Sequence, residues 1–139
     1  MFTDFLSENI LWVGGFIVLA NLLAFSFLQD RVKGVGSIGA LELPRLQRGG
    51  NYIIIDINGV DTFATSHIPE AVNFPMESLT EDNGDLVRLK GKTTIIVCQT
   101  GNKSNKAAKL LLGLGFDDLH VLRGGLMGWT KENLPVTSS

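Results

Sequence analysis

Apolar residues are distributed in two different ways along this chain. Residues 9–28 form one continuous stretch without a charged side chain, whereas the rest of the sequence alternates short apolar runs with polar and glycine-rich segments. Twenty helical residues extend about 30 Å, which is the thickness of the hydrocarbon core of a bilayer. The stretch therefore predicts a transmembrane helix over residues 9–29, after a short tail of residues 1–8.

Three other interpretations of this stretch stay open. A cleaved signal peptide would have a basic N-terminal region and a shorter apolar core, but the tail here carries Asp4 and Glu8. A buried helix of a soluble protein would usually be shorter. An amphipathic surface helix would present a polar face, which Asn9 and Asn21 do not form. The length of the stretch and its lack of charge favour the membrane-spanning helix.

Basic side chains flank the apolar stretch on one side only. None precedes it, and Arg31, Lys33, Arg45 and Arg48 follow it. By the positive-inside rule we expect a single-pass topology, with the N-terminus outside the cell and the following domain in the cytoplasm. The single cysteine excludes an internal disulfide and agrees with a reducing compartment.

The apolar runs that follow predict an α/β domain. Glycines indicate a flexible joint at residues 34–39, so we place a linker at residues 30–36 and the domain at residues 37–136. Strands are predicted at residues 52–57, 71–74, 93–97 and 119–122, and helical segments at residues 40–46, 61–65, 76–79, 104–114 and 125–131. Because strands and helices alternate, we expect a largely parallel sheet flanked by helices. We expect Trp129 to lie in the core and residues 136–139 to fray.

Charge and the supply of metal ligands exclude several classes of function. The net charge of −2 gives no basic patch for nucleic acid. The chain has one cysteine and two histidines, His67 and His120, which lie far apart in the sequence and are too few for a zinc site. We therefore expect no metal, no cofactor and no nucleic-acid partner.

Cys98 lies where the apolar run of residues 93–97 meets the helical pattern of residues 104–114. At such a junction, unpaired backbone N–H groups and the positive end of the helix dipole favour the thiolate, the reactive form of cysteine. Lys103 adds a cation nearby. A lone cysteine beside an apolar strand is more commonly an inert core residue. Here, however, the six residues after Cys98 are polar, small or cationic, which favours a reactive site.

Asp56 lies at the end of another apolar run. The carboxyl ends of parallel strands meet at one edge of a sheet, where ligands bind, so we expect Asp56 and Cys98 at the same edge. The Asp56 carboxylate could equally fix the turn that follows it. Arg123, beside a Gly-Gly turn, could hydrogen-bond across this edge, although a solvated surface position is commoner for arginine.

Four motifs, taken in their order along the chain, resemble those of rhodanese-like sulfurtransferase domains. They are a strand ending in an aspartate, an aromatic residue followed by His-Ile-Pro, a cysteine loop, and a closing Leu-x-Gly-Gly-x-x-x-Trp, found at residues 53–58, 63–73, 98–104 and 122–129. The resemblance covers about residues 36–135. With its N-terminal apolar span, the chain is similar to membrane-anchored, single-domain rhodaneses from bacteria.

The resemblance implies a mechanism and a role for each candidate residue. The Cys98 thiolate would take sulfane sulfur from thiosulfate or a persulfide, and the Cys98 persulfide would pass it to a thiol or protein acceptor. Asp56, His67 and Arg123 would support the site, with His67 in a structural role. A protein partner at the membrane is compatible with this placement. The loop residues that would bind the donor are Gln99, Thr100, Gly101, Asn102, Lys103 and Ser104.

Departures from the family pattern narrow the choice of donor. Gln99 and Asn58 stand where the family frequently has arginine, so the donor site is less cationic and thiosulfate is less favoured. Ser66 and Glu70 stand where glycine is usual.

The length of the cysteine loop disfavours phosphate-ester hydrolysis. From Cys98 through Lys103 the loop has six residues, whereas phosphatases of the same fold have one more residue and need an arginine to grip phosphate through two parallel bonds. Two alternatives to a sulfurtransferase stay open: a membrane-tethered module that binds a partner with little turnover, and a redox sensor. The lack of a second cysteine disfavours the sensor.

Overall fold

The structure, a computed structural model, describes residues 1–29 and 34–139, and the side chains of residues 27–29 also lie outside the description. The chain forms two compact units, Met1–Arg31 and Val32–Ser139. The first is helical, and the second contains the sheet.

Two helices make up the first unit. They are α1 (Phe2–Glu8) and α2 (Ile10–Gln29), separated at Asn9, whose side-chain amide donates to the Phe5 carbonyl at 3.0 Å. The predicted tail is thus helical, and α2 occupies the predicted apolar helix. Within the described residues, no single helix is both long and apolar enough to count as a membrane span. Only α1 and Ile10–Ser26 together reach that length and composition, as a pair bent by 81°.

The second unit is built on a five-stranded parallel sheet. The strands are β1 (Val35–Ile38), β2 (Tyr52–Asp56), β3 (Val72–Asn73), β4 (Thr93–Val97) and β5 (Leu119–Leu122), in the spatial order β1-β5-β4-β2-β3. The helices are α3 (Leu43–Gln47), α4 (Val60–Thr65), α5 (Gly84–Val87), α6 (Ser104–Gly113) and α7 (Gly125–Lys131), with 3₁₀ turns at Ala40–Glu42 and Met76–Ser78. The α/β class and the parallel sheet agree with the sequence prediction.

Different helices cover the two faces of this sheet. On one face, α6 packs against β4 and β5, and the buried side chains there include Ile55, Ile96, Ala107, Ala108 and Leu111. On the other face, α3 and α7 contribute to a second buried cluster, which includes Leu43, Ile54, Ile95, Leu126 and Trp129. Because both faces are covered, the central strands are continuously apolar.

The strand β1 lies where the sequence predicted a flexible joint at residues 34–39. β1 pairs in parallel with β5 along its length, so Gly36 and Ser37 belong to an edge strand. A Cβ on Gly36 would lie 2.7 Å from Nδ1 of His120. The glycine that suggested flexibility therefore lets this strand approach a ring on β5.

Part of the predicted linker of residues 30–36 lies outside the described residues. Positions 30–33 fall there, including Arg31 and Lys33, two of the basic residues on which the predicted topology depends. Gly34 forms a turn with a φ of +86° directly before β1.

The C-terminal residues are paired with the domain, which corrects the predicted fraying of residues 136–139. Thr137 and His67 form an antiparallel bridge, in which each backbone N–H donates to the other residue's carbonyl at 2.8–2.9 Å. The indole N–H of buried Trp129 donates to the Pro135 carbonyl at 2.8 Å. These bonds hold a short segment in which Val136 is the one apolar residue, so its sequence gave no reason to expect order.

Candidate active site

The candidate site lies at the carboxyl end of the parallel strands. β4 ends at Val97 and α6 begins at Ser104, so residues 98–103, here called the active loop, connect them. Asp56 is the partner of Val97 in the pairing of β2 with β4. The structure thus brings Asp56 and Cys98 to the same edge of the sheet.

The thiol of Cys98 is held inside the active loop. Its residue is 2% exposed, and the backbone N–H of Gly101 donates to Sγ at 2.9 Å. Gly101 has a φ of +92°, a conformation that favours glycine, and a Cβ there would also lie 3.3 Å from the Gly124 nitrogen. The loop is therefore curled back on its own cysteine, with a backbone donor directed at sulfur.

The start of α7 forms one wall of the active loop. The N–H of Leu126 donates to the Cys98 carbonyl at 2.8 Å, and the N–H of Met127 donates to the Gln99 carbonyl at 3.0 Å. A Cβ on Gly125 would lie 2.2 Å from the Cys98 oxygen. The two carbonyls are bonded to α7, while the Gly101 N–H is directed at the Cys98 sulfur.

Sequence reasoning missed this contribution of α7 to the site. The closing motif contains Gly124 and Gly125 beside Arg123, but it does not indicate that these glycines contact the cysteine loop. Gly124 and Gly125 have φ values of +74° and +56°, and they lie directly against the active loop. A Gly-Gly pair at the carboxyl end of a neighbouring strand was the available signal, because such a pair permits close backbone approach.

Most side chains of the active loop face solvent. Gln99, Thr100, Asn102 and Lys103 are exposed, whereas Ser104 is completely buried. Lys103 is the N-cap residue of α6, and its carbonyl accepts the Ala107 N–H at 3.1 Å. The buried Ser104 hydroxyl has no hydrogen-bond partner in the part of the chain that the structure describes. The loop therefore presents one cation and several polar side chains around a buried thiol.

Asp56 is fully buried beside this loop. Its Oδ1 accepts the Asn58 N–H at 2.9 Å, while Oδ2 has no hydrogen-bond partner within residues 1–29 and 34–139. Burial raises the pKa of the Asp56 carboxyl, and the backbone hydrogen bond from Asn58 opposes that rise. The side-chain amide of Asn73 donates to the carbonyls of Asp56 and Asn58 at 3.0 and 2.8 Å. Asp56 thus fixes the turn and also leaves one buried oxygen unsatisfied.

His67 and Arg123 make their described contacts away from the active loop. The buried His67 ring stacks on Phe63 with a centroid distance of 3.8 Å, and its Nδ1 lies 2.6 Å from the Phe63 carbonyl oxygen. Arg123 is exposed and bonds to Oε1 of Glu42 at 3.1 Å. Both side chains support neighbouring segments of the fold.

Glu70 illustrates a departure from the family pattern. It has a φ of +73°, a conformation in which glycine is favoured, and its carboxylate accepts a hydrogen bond from the Tyr52 hydroxyl. The usual glycine at this position is therefore explained by backbone geometry.

The chain matches known proteins over the whole of this domain. The family model described as the rhodanese-like domain matches residues 40–132. The uncharacterized protein YibN of Escherichia coli K12 is 30% identical over 129 residues, covering 92% of this chain and 87% of YibN. A Synechocystis relative, slr1261, is 29% identical over 103 residues, covering 74% of this chain and only 56% of that protein.

Sulfurtransferases are among the relatives. The adenylyltransferase and sulfurtransferase UBA4 of Saccharomyces cerevisiae S288c is 36% identical over 90 residues, covering 58% of this chain but 20% of UBA4. The crystal structure of a rhodanese-related protein from Thermoplasma volcanium superposes with a TM-score of 0.63 at 25% identity, covering 75% of this chain and 99% of that one. On the family match and the relatives together, the chain belongs to the rhodanese-like domain family.

Proposed function

We propose that this protein is a sulfurtransferase that carries sulfane sulfur on Cys98. The observation that carries the proposal is the Gly101 N–H directed at Sγ from 2.9 Å, inside a loop whose first carbonyls are bonded to α7. A backbone nest of this kind stabilises an anionic sulfur, both as the thiolate and as the persulfide. The membership of sulfurtransferases such as UBA4 in the family supports the same chemistry.

The first half-reaction loads the cysteine. The Cys98 thiolate attacks the outer sulfur of a donor such as thiosulfate, and a new S–S bond forms as the donor's own S–S bond breaks. With thiosulfate, sulfite leaves with the electron pair of the broken bond, and the persulfide anion remains on Cys98. The exposed Lys103 lies at the end of the loop and supplies positive charge for an anionic donor.

The second half-reaction transfers the sulfur from Cys98 to the acceptor. A thiolate of the acceptor attacks the outer sulfur of the persulfide, the bond to Sγ breaks, and Cys98 leaves as the thiolate. No net oxidant or reductant is needed, since the sulfane sulfur moves from one thiolate to another. Gln99 and Asn58 occupy positions of frequent arginines, which favours a less anionic donor such as a persulfide over thiosulfate.

We further propose that the N-terminal unit anchors the protein in a membrane, with residues 1–8 outside and the domain in the cytoplasm. The support is compositional: residues 9–28 contain no charge, and α2 exposes large apolar side chains such as Leu11, Trp12 and Phe16.

Thiol labelling tests this topology. A chain carrying Thr3→Cys and Cys98→Ser has its one thiol in the N-terminal tail. We expect an impermeant maleimide to label it in intact cells. Labelling only after lysis would show the opposite orientation. Recovery of the chain in the soluble fraction would contradict the membrane anchor.

Steady-state turnover of the full chain in detergent tests the sulfurtransferase. We expect transfer from thiosulfate or a low-molecular-weight persulfide to cyanide or a thiol, with ping-pong kinetics. Cys98→Ser should lower turnover by at least about a thousandfold. Equal turnover by Cys98→Ser, or no turnover by the parent with any sulfane donor, would overturn the proposal.

A further inference from the structure

A row of lysines leads away from the active loop along α6. Lys103, Lys106 and Lys109 are spaced three residues apart, which places them on one side of the helix, and all three are exposed. We call these three residues the lysine row. Between Cys98 and Phe116 the sequence contains no aspartate or glutamate. The solvent face of this helix therefore carries a single sign of charge.

One further cation lies at the C-terminal end of the helix, where the exposed Asp117 and Asp118 follow in the chain. A Cβ on Gly115 would lie 3.1 Å from Nζ of Lys90, so that ammonium group lies just past the C-terminal end of α6. Among the described residues, neither Lys90 nor any member of the lysine row takes part in an ion pair. Because the whole chain has a net charge of −2, this surface is locally opposite in sign to the average.

The burial of Cys98 makes an outer docking surface useful. With 2% of the residue exposed, an acceptor thiol must enter the active loop to reach the outer sulfur. Little of the acceptor can be held inside the loop, so the contacts that orient it must lie outside. The lysine row begins at the last residue of the loop, which places its charge beside the point of entry.

We propose that the lysine row docks an acidic segment of the protein acceptor, next to the cysteine that receives the sulfur. The inference rests on the sulfurtransferase function proposed above and names the chemistry of its partner. The acceptor's thiolate attacks the outer sulfur of the Cys98 persulfide and leaves with it, while Cys98 returns to the thiolate. Lys106 and Lys109 raise the local concentration of an acidic acceptor without touching the reacting atoms.

Matched thiol peptides test this proposal on the full chain in detergent, loaded with sulfur beforehand. One peptide has its cysteine flanked by glutamates and the other by glutamines, with dithiothreitol as a small neutral acceptor. At low ionic strength we expect transfer to the glutamate peptide to be about tenfold faster than to the glutamine peptide, and salt should remove the difference.

The variant pair sharpens the test. Lys106→Glu with Lys109→Glu should abolish the preference for the glutamate peptide and leave transfer to dithiothreitol unchanged, which also shows that the fold is intact. Arg45→Glu with Arg48→Glu makes the same change in net charge at exposed positions of another segment, and it should keep the preference.

Each outcome decides the question. Equal rates for both peptides in the parent, or a preference that the lysine variant retains, overturn the docking surface while leaving sulfur transfer standing. If the lysine variant instead loses only its affinity for vesicles of anionic phospholipid, the row faces a membrane and the proposal is wrong. Failure to transfer sulfur even to dithiothreitol overturns the sulfurtransferase and this inference together.

Discussion

Asp56 and Asp118 lie at opposite ends of the same parallel sheet, and the fold shifts the pKa values of their carboxyl groups in opposite directions. Asp56, at the carboxyl end of β2, is fully buried with one oxygen unpartnered, and burial raises its pKa. Asp118, just before β5 at the amino end, accepts from the Thr93 hydroxyl at 2.6 Å and lies 2.9 Å from Nε2 of His120. The hydrogen bond from Thr93, followed by that of His120, lowers the pKa of Asp118.

The two carboxylates differ because Asp118 is bound by neighbouring side chains of the fold, whereas Asp56 lies beside the candidate site. The buried polar atoms without a partner in the described residues are Oδ2 of Asp56, Nδ2 of Asn58 and Oγ of Ser104. Asp56 ends β2, Asn58 follows it, and Ser104 begins α6 directly after the active loop, so all three lie at the loop end of the strands. Unsatisfied buried polar groups destabilise a fold, so their concentration at one end agrees with the placement of the proposed active site there.

The largest effect on turnover is expected for Gly125, which has a positive φ and lies against the active loop. Gly125→Ala would place a Cβ 2.2 Å from the Cys98 oxygen at a φ of +56°. The loop must then shift, so we expect kcat to fall about a hundredfold, the loss seen when one preorganised donor is removed. We also expect a loss of about 1–3 kcal/mol in the free energy of unfolding.

A glycine at the other end of the sheet provides the control. Gly91 has a φ of +89° with no atom near the position of its Cβ. Gly91→Ala should lower stability through its backbone conformation and leave turnover unchanged. If both alanine variants lose turnover in proportion to stability, α7 has no positioning role in the loop.

An effect of intermediate size on the free energy of unfolding is expected at Asp56. Because its folded pKa is raised, the protonated carboxyl stabilises the fold below the unfolded pKa, and this contribution is lost as the pH rises through the folded pKa. Asp56→Asn should therefore be more stable than the parent at pH 7, by an amount on the order of 1 kcal/mol, with the difference shrinking as the solution is acidified. Denaturant midpoints measured across pH check this. A variant less stable than the parent at neutral pH would contradict it.

The smallest effect is expected at Asp118. Its lowered pKa contributes stability that is present above the unfolded pKa and is lost as the pH falls through the folded pKa. The side chain is 54% exposed, so Asp118→Asn should lose at most about 0.5 kcal/mol at pH 7 and keep full turnover. A large loss of turnover would show that the amino end of the sheet also serves the reaction.

The sequence predicted the central strands well because both of their faces are buried. The continuous apolar runs became β2 and β4, and the helical pattern after Cys98 became α6. β1 was missed because Gly36 and Ser37 interrupt its pattern, and the reason for Gly36 is the His120 ring of a distant segment. The short α5 has too few residues for a periodic pattern.

The site was predictable to the extent that it is local. A cysteine between a strand and a helix identified the active loop, and the shared edge of a parallel sheet brought Asp56 beside it. The bonds from Leu126 and Met127 to the loop carbonyls join segments far apart in the chain, and no periodicity encodes them. The environment of His67, held by Phe63 and the C-terminal segment, also depends on tertiary contacts alone.

The central claim is that Cys98 carries sulfane sulfur, and the intact mass of the protein measures this directly. The full chain, reduced and then exposed to thiosulfate or a low-molecular-weight persulfide, should gain the mass of one sulfur atom. The gain should be absent in Cys98→Ser and should disappear on addition of cyanide or a thiol. An unchanged mass with every donor, or an equal gain in Cys98→Ser, would contradict the account.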